Sequence, residues 1–286
     1  MKERKPLCIY HGNCADGFAA AWVFKNYGDR EYEFHAGVYQ DAPPDCAGRD
    51  IYLVDFSYKL AVVEEIQRAA TRVVLIDHHK TAIEDLAPLI DTGKIEALTS
   101  LEHSGAVLAY EWFMGKGLEN MPDLLRHIED RDLWRFNLNG TREIQANIFS
   151  YPYDFDLWGK LMAQPVEALV AEGRAIERKH HKDIRELVDV CRREMLVGGV
   201  VVPAASLPYT LTSDAGHLMA TEHPSKIGAC YWDTPQGRVF SLRSTDDGPD
   251  VSEIAKRYGG GGHAHASGFR VPWGHELTEP APLEAL

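Results

Sequence analysis

The chain has 286 residues, 45% of them hydrophobic, and carries 43 acidic against 30 basic residues, for a formal net charge of −13. No apolar run approaches the roughly 20 residues needed to span a bilayer, so no membrane partner is expected. Proteins that follow a long duplex use a basic footprint, so the acidic balance excludes long duplex nucleic acid as an obligate partner. It leaves room for a short oligonucleotide in a local basic pocket.

The five cysteines are scattered and form no C-x-x-C pair, so neither a disulfide framework nor a structural zinc site is expected. The first apolar stretch is too short for a signal peptide, and a cytoplasmic location is the expectation. Cys14 lies in the polar, glycine-containing loop 11–17. We expect a packed small residue there rather than a nucleophile, because no basic residue lies close in sequence to lower its pKa.

Short apolar runs alternate with helical patterns along the first half of the chain. The predicted strands are Leu7–Tyr10, Ile51–Val54 and Arg72–Ile76, and the predicted helices between and after them are Phe18–Lys25 and Ala61–Ala70. Continuous apolar strands separated by helices are typical of a parallel sheet with helices on both faces, which is an α/β fold.

The middle of the chain reads as helical. Gly105–Phe113 follows Ser104, a good N-cap residue, and Asp123–Asp132 follows a proline. A long charged helix is predicted from Val166 to about Met195, and we interpret it as a solvated connection between two domains. His180 and His181 on that helix are expected to be surface residues rather than metal ligands.

The last third changes to short strands and predicts a smaller mixed α/β domain. Gly228–Trp232 and Arg238–Arg243 are predicted strands, and Val251–Tyr258 is a predicted short helix that leads into four consecutive glycines. The expected domains are 1–153, a helical linker over 154–195, and 196–286.

Acidic residues stand where the predicted parallel strands end. Asp16, Asp55 and Asp77 each lie just after an apolar strand or in the loop that follows it. These strand ends share one edge of a parallel sheet, where ligands bind. Carboxylates and imidazoles gathered there would repel one another without a cation. Oxygen and imidazole ligands together suit manganese, magnesium, iron or zinc.

Several motifs resemble those of the DHH phosphoesterase superfamily. The triplet Asp77-His78-His79 corresponds to the name of that family, the loop 11–17 (HGNCADG) is similar to its first motif, and 53–55 (LVD) to its second. The segment 129–134 (EDRDLW) resembles the fourth motif, and GGGGHAHASG over 259–268 resembles the glycine-rich signature of the associated C-terminal domain. The resemblance covers nearly the whole chain and is to members of the family that resemble nanoRNases or oligonucleotide phosphodiesterases.

The resemblance implies two divalent ions, usually manganese, with magnesium as the alternative. It implies that Asp55 bridges the ions, and that a water activated by the pair attacks the phosphorus. His79 and Asp77 are the implied catalytic residues, with His79 facing the phosphate. The other implied ligands are His11, Asp16, His78 and one of Asp130 or Asp132, a choice that the sequence leaves open.

The first motif departs from the family pattern. Most relatives carry two aspartates in this loop, whereas here only Asp16 is present, Ala15 offers no ligand and Asn13 offers a weak one. His11 also stands one residue further from the aspartate than expected.

The C-terminal glycine run predicts a phosphate-binding loop. Consecutive glycines can expose N–H groups as an anion nest, and a helix starting just after them would add a favourable dipole. His263 would lie at this nest, and Arg243 could bind a phosphate with its guanidinium group. The predicted substrate-binding residues are Arg243, Ser244, Gly260, Gly261, Gly262, His263 and Ser104, the last of these in a loop that borders the phosphate.

The expected function is hydrolysis of phosphodiester bonds in short oligonucleotides or dinucleotides, as an exonuclease or oligoribonuclease. Within hydrolases the alternative is a polyphosphatase or a small-molecule phosphomonoesterase, and outside them a non-catalytic nucleotide-binding regulator, which the reduced first motif favours. Trp134 and Phe136 are expected to pack in the core or between domains rather than to stack on bases. Oligomeric state, including a homodimer, stays open.

Overall fold

The computed structural model describes residues 4–279, so the ends of the first and last predicted domains lie outside the described residues. The chain forms two compact units, and the division falls between Glu177 and Arg178. This point lies within the predicted linker over 154–195, and the predicted bounds of the two domains and the linker stay a prediction. In the described part of the chain, no helix is both long enough and apolar enough to cross a membrane.

The first unit is built on a five-stranded parallel sheet with the order β2-β1-β3-β4-β5. Its strands are β1 Leu7–His11, β2 Glu33–Gly37, β3 Asp50–Val54, β4 Arg72–Asp77 and β5 Glu96–Thr99. The three predicted strands are the three central ones, so the α/β prediction is confirmed. The two edge strands were missed because they are short and carry few buried apolar residues.

Helices cover both faces of this sheet, as predicted. Alternate residues of β3 lie on opposite faces of the sheet: Ile51 and Leu53 belong to one buried cluster, and Tyr52 and Val54 belong to the other. The helices of this unit are α1 Ala15–Tyr27, α2 Leu60–Ala69, α3 Lys80–Asp91, α4 Gly105–Met114, α5 Asp123–Asp132, α6 Thr141–Ile148 and α7 Phe155–Met162. Helices α1 and α4 pack on one face, and α2 and α3 on the other.

The long helix α8, Val166–Cys191, ends earlier than predicted. Met195 belongs instead to strand β6, Arg193–Val197, which pairs antiparallel with the next strand. The alternation of partly buried and exposed residues along β6 has a period of two, and this pattern overrides the helical continuation that the charged sequence indicates.

The second unit contains a six-stranded mixed sheet with the order β10-β11-β9-β8-β7-β6, as expected for a mixed α/β domain. Its further strands are β7 Val200–Ser206, β8 Ile227–Thr234, β9 Gly237–Ser244, β10 Gly261–His263 and β11 Ala266–Val271. The helices α9, Thr212–Glu222, and α10, Val251–Arg257, contribute to separate buried clusters against this sheet.

Candidate metal centre and functional site

The carboxyl ends of three neighbouring strands meet at one edge of the first sheet. His11 ends β1, Asp55 follows β3 directly, and Asp77 ends β4. Asp16 lies in the first turn of α1, and Asp132 is the last residue of α5. These positions agree with the sequence expectation that the acidic residues converge on the edge where α/β sheets bind ligands.

Asp55 lies at the centre of this cluster. Its Oδ1 is 3.1 Å from His78 Nε2, and its Oδ2 is 3.5 Å from His11 Nδ1. The residue has a φ of +54°, an uncommon value that aspartate tolerates better than most residues. This backbone turn, together with the hydrogen bond from its N–H to the Ile76 carbonyl at 2.8 Å, fixes the carboxylate between the two imidazoles.

Two sets of metal-ligating atoms share Asp55. The atoms of Asp16, Asp55 and His78 lie within 4.8 Å of one another, as do those of His11, Asp55 and His79. Such spacing suits one cation in each set, with a carboxylate common to both. The geometry is therefore compatible with the expected bridging role of Asp55, although the assignment of ligands stays a prediction.

Asp16 is buried with an uncompensated carboxylate oxygen. Its side chain is almost fully inaccessible, its Oδ1 accepts from the Ala106 N–H at 3.2 Å, and within residues 4–279 its Oδ2 has no hydrogen-bond partner. Burial raises the pKa of Asp16 well above its usual range, the charges of Asp55 and Asp132 raise it further, and His78 opposes them. A buried oxygen of this kind fits a divalent cation, which would supply the missing partner.

His78 joins three of the carboxylates. Its Nε2 lies 3.1 Å from Asp55 Oδ1, 3.3 Å from Asp132 Oδ2 and 3.9 Å from Asp16 Oδ2. Burial acts to lower the pKa of His78, but the hydrogen bond to Asp55 and the charges of Asp132 and Asp16 outweigh it and raise the pKa to about 10. The carboxylates around His78 thus favour positive charge at this point of the cluster.

Asp77 holds His79 rather than pointing into the cluster. Its Oδ1 accepts from the His78 N–H at 2.8 Å and from the His79 N–H at 3.1 Å, and lies 2.7 Å from His79 Nδ1. A carboxylate against Nδ1 fixes the orientation of the ring and favours the tautomer with the proton on Nδ1. Burial acts to lower the pKa of His79, but the charge of Asp77 and its hydrogen bond outweigh it and raise the pKa.

The structure distinguishes the two aspartates of the fourth motif. The carboxylate of Asp130 accepts from the N–H groups of Asn137 and Leu138 at 2.8 and 3.0 Å, and from Thr141 Oγ1 at 2.6 Å. These bonds hold the loop after α5. Asp132, by contrast, directs its carboxylate to His78. Both residues lie on the same helix, and they differ because the loop after α5 folds back onto the carboxylate of Asp130 and not onto that of Asp132.

Two glycines permit the close packing of this site, and sequence analysis gave no reason for either. A Cβ on Gly105 would lie 2.4 Å from the Cβ and 2.8 Å from Oδ1 of Asp55, so only glycine lets α4 begin against that residue. A Cβ on Gly17 would lie 2.4 Å from the carbonyl oxygen of His11. A glycine directly after the N-cap residue Ser104 was the available signal for Gly105.

Ser104 occupies the N-cap position of α4, but its side chain makes no capping hydrogen bond, so the predicted capping chemistry is wrong. The residue is fully buried, and its own N–H donates to Glu129 Oε2 at 3.1 Å. Glu129 also lies 3.1 Å from His103 Nδ1. The loop that contains Ser104 is thus anchored to α5.

Tyr39, in the loop after β2, is a neighbour of the cluster that sequence analysis missed. Its ring centroid lies 5.1 Å from that of His11 and 6.4 Å from that of His79. The side chain is 45% exposed, so an aromatic surface lies beside the two imidazoles. The thiol of Cys14, in contrast, stays protonated, because burial and the charges of Asp55 and Asp132 raise its pKa well above its usual range.

The glycine run in the second unit ends a helix instead of opening one. Gly259 has a φ of +78°, its N–H donates to the Lys256 carbonyl, and the Gly260 N–H donates to the Ala255 carbonyl. This pattern is a Schellman ending of α10. The expectation of a helix start after the run is wrong, since β10 begins at Gly261, and the first two N–H groups of the expected nest are already used.

The other predicted substrate-binding residues of the second unit lie on adjacent strands. Gly261, Gly262 and His263 form β10 and pair with β11, which pairs in turn with β9. Arg243 on β9 donates to Ser213 Oγ at 2.7 Å and to Ser241 Oγ at 3.1 Å. Ser244 Oγ lies 2.9 Å from His265 Nδ1. His180, predicted as a surface residue, is partly buried and lies 3.0 Å from Asp214 Oδ2.

Comparison with known proteins gives two informative sequence relatives, whereas no family model matches the chain. An uncharacterized protein, R106, of Acanthamoeba polyphaga mimivirus is 28% identical over 94% of this chain and 68% of its own length. The oligoribonuclease NrnB of Bacillus subtilis is 29% identical over 73% of this chain. The match spans only 55% of the length of NrnB.

Solved structures show the same fold over nearly the whole chain. The DHH domain of a member of the s1p family of ribosomal proteins superposes with a TM-score of 0.58 at 11% identity, covering 96% of this chain and 84% of that one. An exopolyphosphatase-related protein from Bacteroides fragilis gives 0.51 at 12% identity, covering 96% and 88%. A pGpG-specific phosphodiesterase from Vibrio cholerae gives 0.50 at 14% identity, covering 94% of each chain.

Three observations now agree: the Asp77-His78-His79 triplet at the metal-binding edge, the fold of a known DHH domain, and the sequence match to an oligoribonuclease. The predicted resemblance to the DHH phosphoesterase superfamily is therefore confirmed, and the chain is similar to proteins of this kind in sequence and in fold.

Proposed function

We propose that this protein is a metal-dependent phosphodiesterase that hydrolyses short oligonucleotides or dinucleotides. The observation that carries the proposal is the position of Asp55, whose carboxylate belongs to two sets of metal-ligating atoms at the carboxyl edge of a parallel sheet. Two adjacent cations can stabilise both the attacking and the leaving oxygen of an in-line displacement at phosphorus. The sequence match to NrnB, an oligoribonuclease, supports a nucleotide substrate.

We propose Asp16, Asp55, His78 and Asp132 as ligands on one side of the site, with His11 on the other side of Asp55. Their mixed oxygen and imidazole character suits manganese, with magnesium as the alternative. Bound there, the ions would lower the pKa of a water molecule and neutralise charge on the phosphate oxygens. Asp130 is not included, because its carboxylate holds the loop after α5.

His79 is the proposed catalytic residue, and Asp77 the residue that positions it. Asp77 Oδ1 lies 2.7 Å from Nδ1 and orients the ring, and Nε2 is the atom that we propose to face a phosphate or a leaving oxygen. The acidic surroundings raise the pKa of His79, which favours a protonated ring able to donate a proton to the departing oxygen near neutral pH.

In the second unit we propose that Arg243, with Ser244 and the β10 residues Gly261, Gly262 and His263, binds a phosphate of the substrate. Ser213 and Ser241 hold the guanidinium group of Arg243, so that little side-chain freedom remains to be lost on binding. A cytoplasmic location is also proposed, since all five cysteines are unpaired.

The experiment is a hydrolysis assay on the full chain with a dinucleotide, a five- and a twenty-nucleotide strand, and tripolyphosphate. Hydrolysis of the short strands should stop in excess chelator and return with manganese, and Asp55→Asn should be inactive. Hydrolysis in excess chelator would refute the metal mechanism. Activity on tripolyphosphate alone would replace this proposal with a polyphosphatase. Nucleotide binding without hydrolysis in any metal would indicate a regulator.

Arg243→Ala tests the role of the second unit. A charge-assisted hydrogen bond is worth about 1.5–3 kcal/mol, which corresponds to a rise in KM of roughly 10- to 100-fold for a short phosphorylated strand. Lys256→Ala, which removes a partly exposed cation of the same unit from its ion pair with Glu253, serves as the control. An unchanged KM for Arg243→Ala would exclude the guanidinium group from phosphate binding.

A further inference from the structure

The loop that follows α5 presents two aromatic side chains in an unusual backbone conformation. Trp134 and Phe136 have φ values of +57° and +51°, in the left-handed region that bulky residues rarely adopt. Both rings are only partly buried, in contrast to Trp158, which is fully buried in the core of the same unit. A loop that served only to connect α5 with α6 would not require this conformation.

Asp130 fixes the loop in this shape. Its main-chain carbonyl accepts from the N–H groups of Arg135 at 2.8 Å and Phe136 at 3.2 Å, while its side chain accepts from those of Asn137 and Leu138. One buried residue thus receives four main-chain N–H groups of a single loop. This arrangement explains why the fourth motif contains a second aspartate that does not reach the metal-ligating cluster.

Guanidinium groups contact both of these rings. Arg131 lies 4.4 Å from the ring centroid of Trp134 and 6.0 Å from that of Phe136, and Arg142 lies 3.7 Å from that of Phe136. The two rings pack edge to face at 5.1 Å. We call Arg131, Trp134, Phe136 and Arg142 the aromatic–arginine column. A cation–π contact near the surface stabilises a protein by less than the strained backbone of a bulky residue destabilises it. The contacts within the column therefore do not by themselves explain why two such residues are strained.

The column lies next to the proposed metal centre. Arg131 immediately precedes Asp132, whose Oδ2 is 3.3 Å from His78 Nε2, and Trp134 follows two residues later. In a chain with a formal net charge of −13, two arginines that contact partly exposed aromatic rings form a local cationic surface beside the proposed phosphate-cleaving site. Aromatic rings and guanidinium planes are the groups on which proteins stack nucleobases of single strands.

We propose that the aromatic–arginine column is a nucleobase-binding site, which stacks a base of the substrate while Arg131 and Arg142 contact its phosphates. This inference rests on the proposed function and makes it more specific, because polyphosphate and base-free phosphoesters have no π face to stack. Stacking does not recognise base edges, so the site accepts all four bases and favours the larger purines modestly.

The test compares Trp134→Leu and Phe136→Leu with wild type in the full chain with manganese. The substrates are a dinucleotide and the same diester with base-free sugars. Loss of a stacked base, worth about 1–3 kcal/mol, raises KM for the dinucleotide about 5- to 150-fold in at least one variant, with a much smaller change for the base-free diester. Phe149→Leu, which alters a 50% exposed aromatic of the same unit, is the matched control and should change neither value.

Equal KM changes on both substrates, or a dinucleotide KM within twofold of wild type in both variants, would overturn the inference. Trp134→Phe keeps a π face and should retain most of the affinity, which separates stacking from loss of loop structure. If wild type hydrolyses neither diester, the proposed function fails. Calorimetric binding of the dinucleotide then still tests whether the column binds a nucleobase. Binding by wild type that is weakened in Trp134→Leu supports the column, and equal or absent binding refutes it.

Discussion

Replacing Gly105 with alanine tests whether the contact between α4 and Asp55 sets the geometry of the metal centre. The new Cβ would lie 2.4 Å from Asp55 Cβ, whereas carbon atoms rest at about 3.5–4.0 Å, so a displacement of roughly 1 Å or more is required. Asp55 cannot yield freely, because its N–H is bonded to the Ile76 carbonyl and its carboxylate lies against His78 and His11.

A misplacement of about 1 Å in a catalytic arrangement can reduce turnover by about 100-fold, and we expect a loss of that order in kcat/KM together with weaker manganese binding. Overpacking should also lower the free energy of unfolding by about 1–3 kcal/mol. The matched control is Gly159→Ala in α7, where the nearest heavy atom to a new Cβ is Trp22 Nε1 at 3.7 Å, an ordinary contact. That change should leave activity intact and stabilise the helix by up to about 1 kcal/mol. Full activity of Gly105→Ala at saturating manganese would refute the reasoning.

Three further predictions follow from the same cluster. Asp132→Asn should lose bound metal and activity at nearly unchanged stability, whereas Asp130→Asn should keep metal and have a lower thermal midpoint. Metal analysis and calorimetry measure these effects, and loss of metal in both variants would contradict the assignment. His78→Ala should lose metal, while His79→Ala should keep metal and lose turnover, since Asp77 holds only the latter ring; equal metal loss in both would refute the division. Asp16→Asn should raise the thermal midpoint of the chelated protein near pH 7, because burial and Asp55 raise the pKa of Asp16 and its ionisation therefore opposes folding at that pH. This gain should vanish below about pH 4, where the unfolded carboxyl is also protonated, and a constant gain across pH would exclude the electrostatic cause.

The central strands and their terminal aspartates could be predicted because they depend on local patterns. Apolar runs that end in Asp55 and Asp77 indicate both a buried parallel strand and the position of its carboxyl end. The distinction between Asp130 and Asp132 could not be predicted, since it depends on where the loop after α5 returns. The same limit applies to Gly259, because a helix ending and an anion-binding loop both favour consecutive glycines.

The single aspartate of the first motif is sufficient for the proposed mechanism if the two cation positions are unequal. One proposed set of ligands, Asp16, Asp55 and His78, is rich in carboxylate and has Asp132 beside it, whereas the other combines the imidazole of His11 with the shared carboxylate of Asp55. In the second set His11 stands where a further aspartate would otherwise be needed, because the end of β1 brings its Nδ1 to 3.5 Å from Asp55 Oδ2. Carboxylate-rich sites suit manganese and magnesium, and imidazole-rich sites bind other divalent metals as well. On this proposal the reduced motif would change the relative affinity of the two positions without removing either. Two ions per chain at saturating manganese would support this account, and a single ion would mean that the first motif has lost one position.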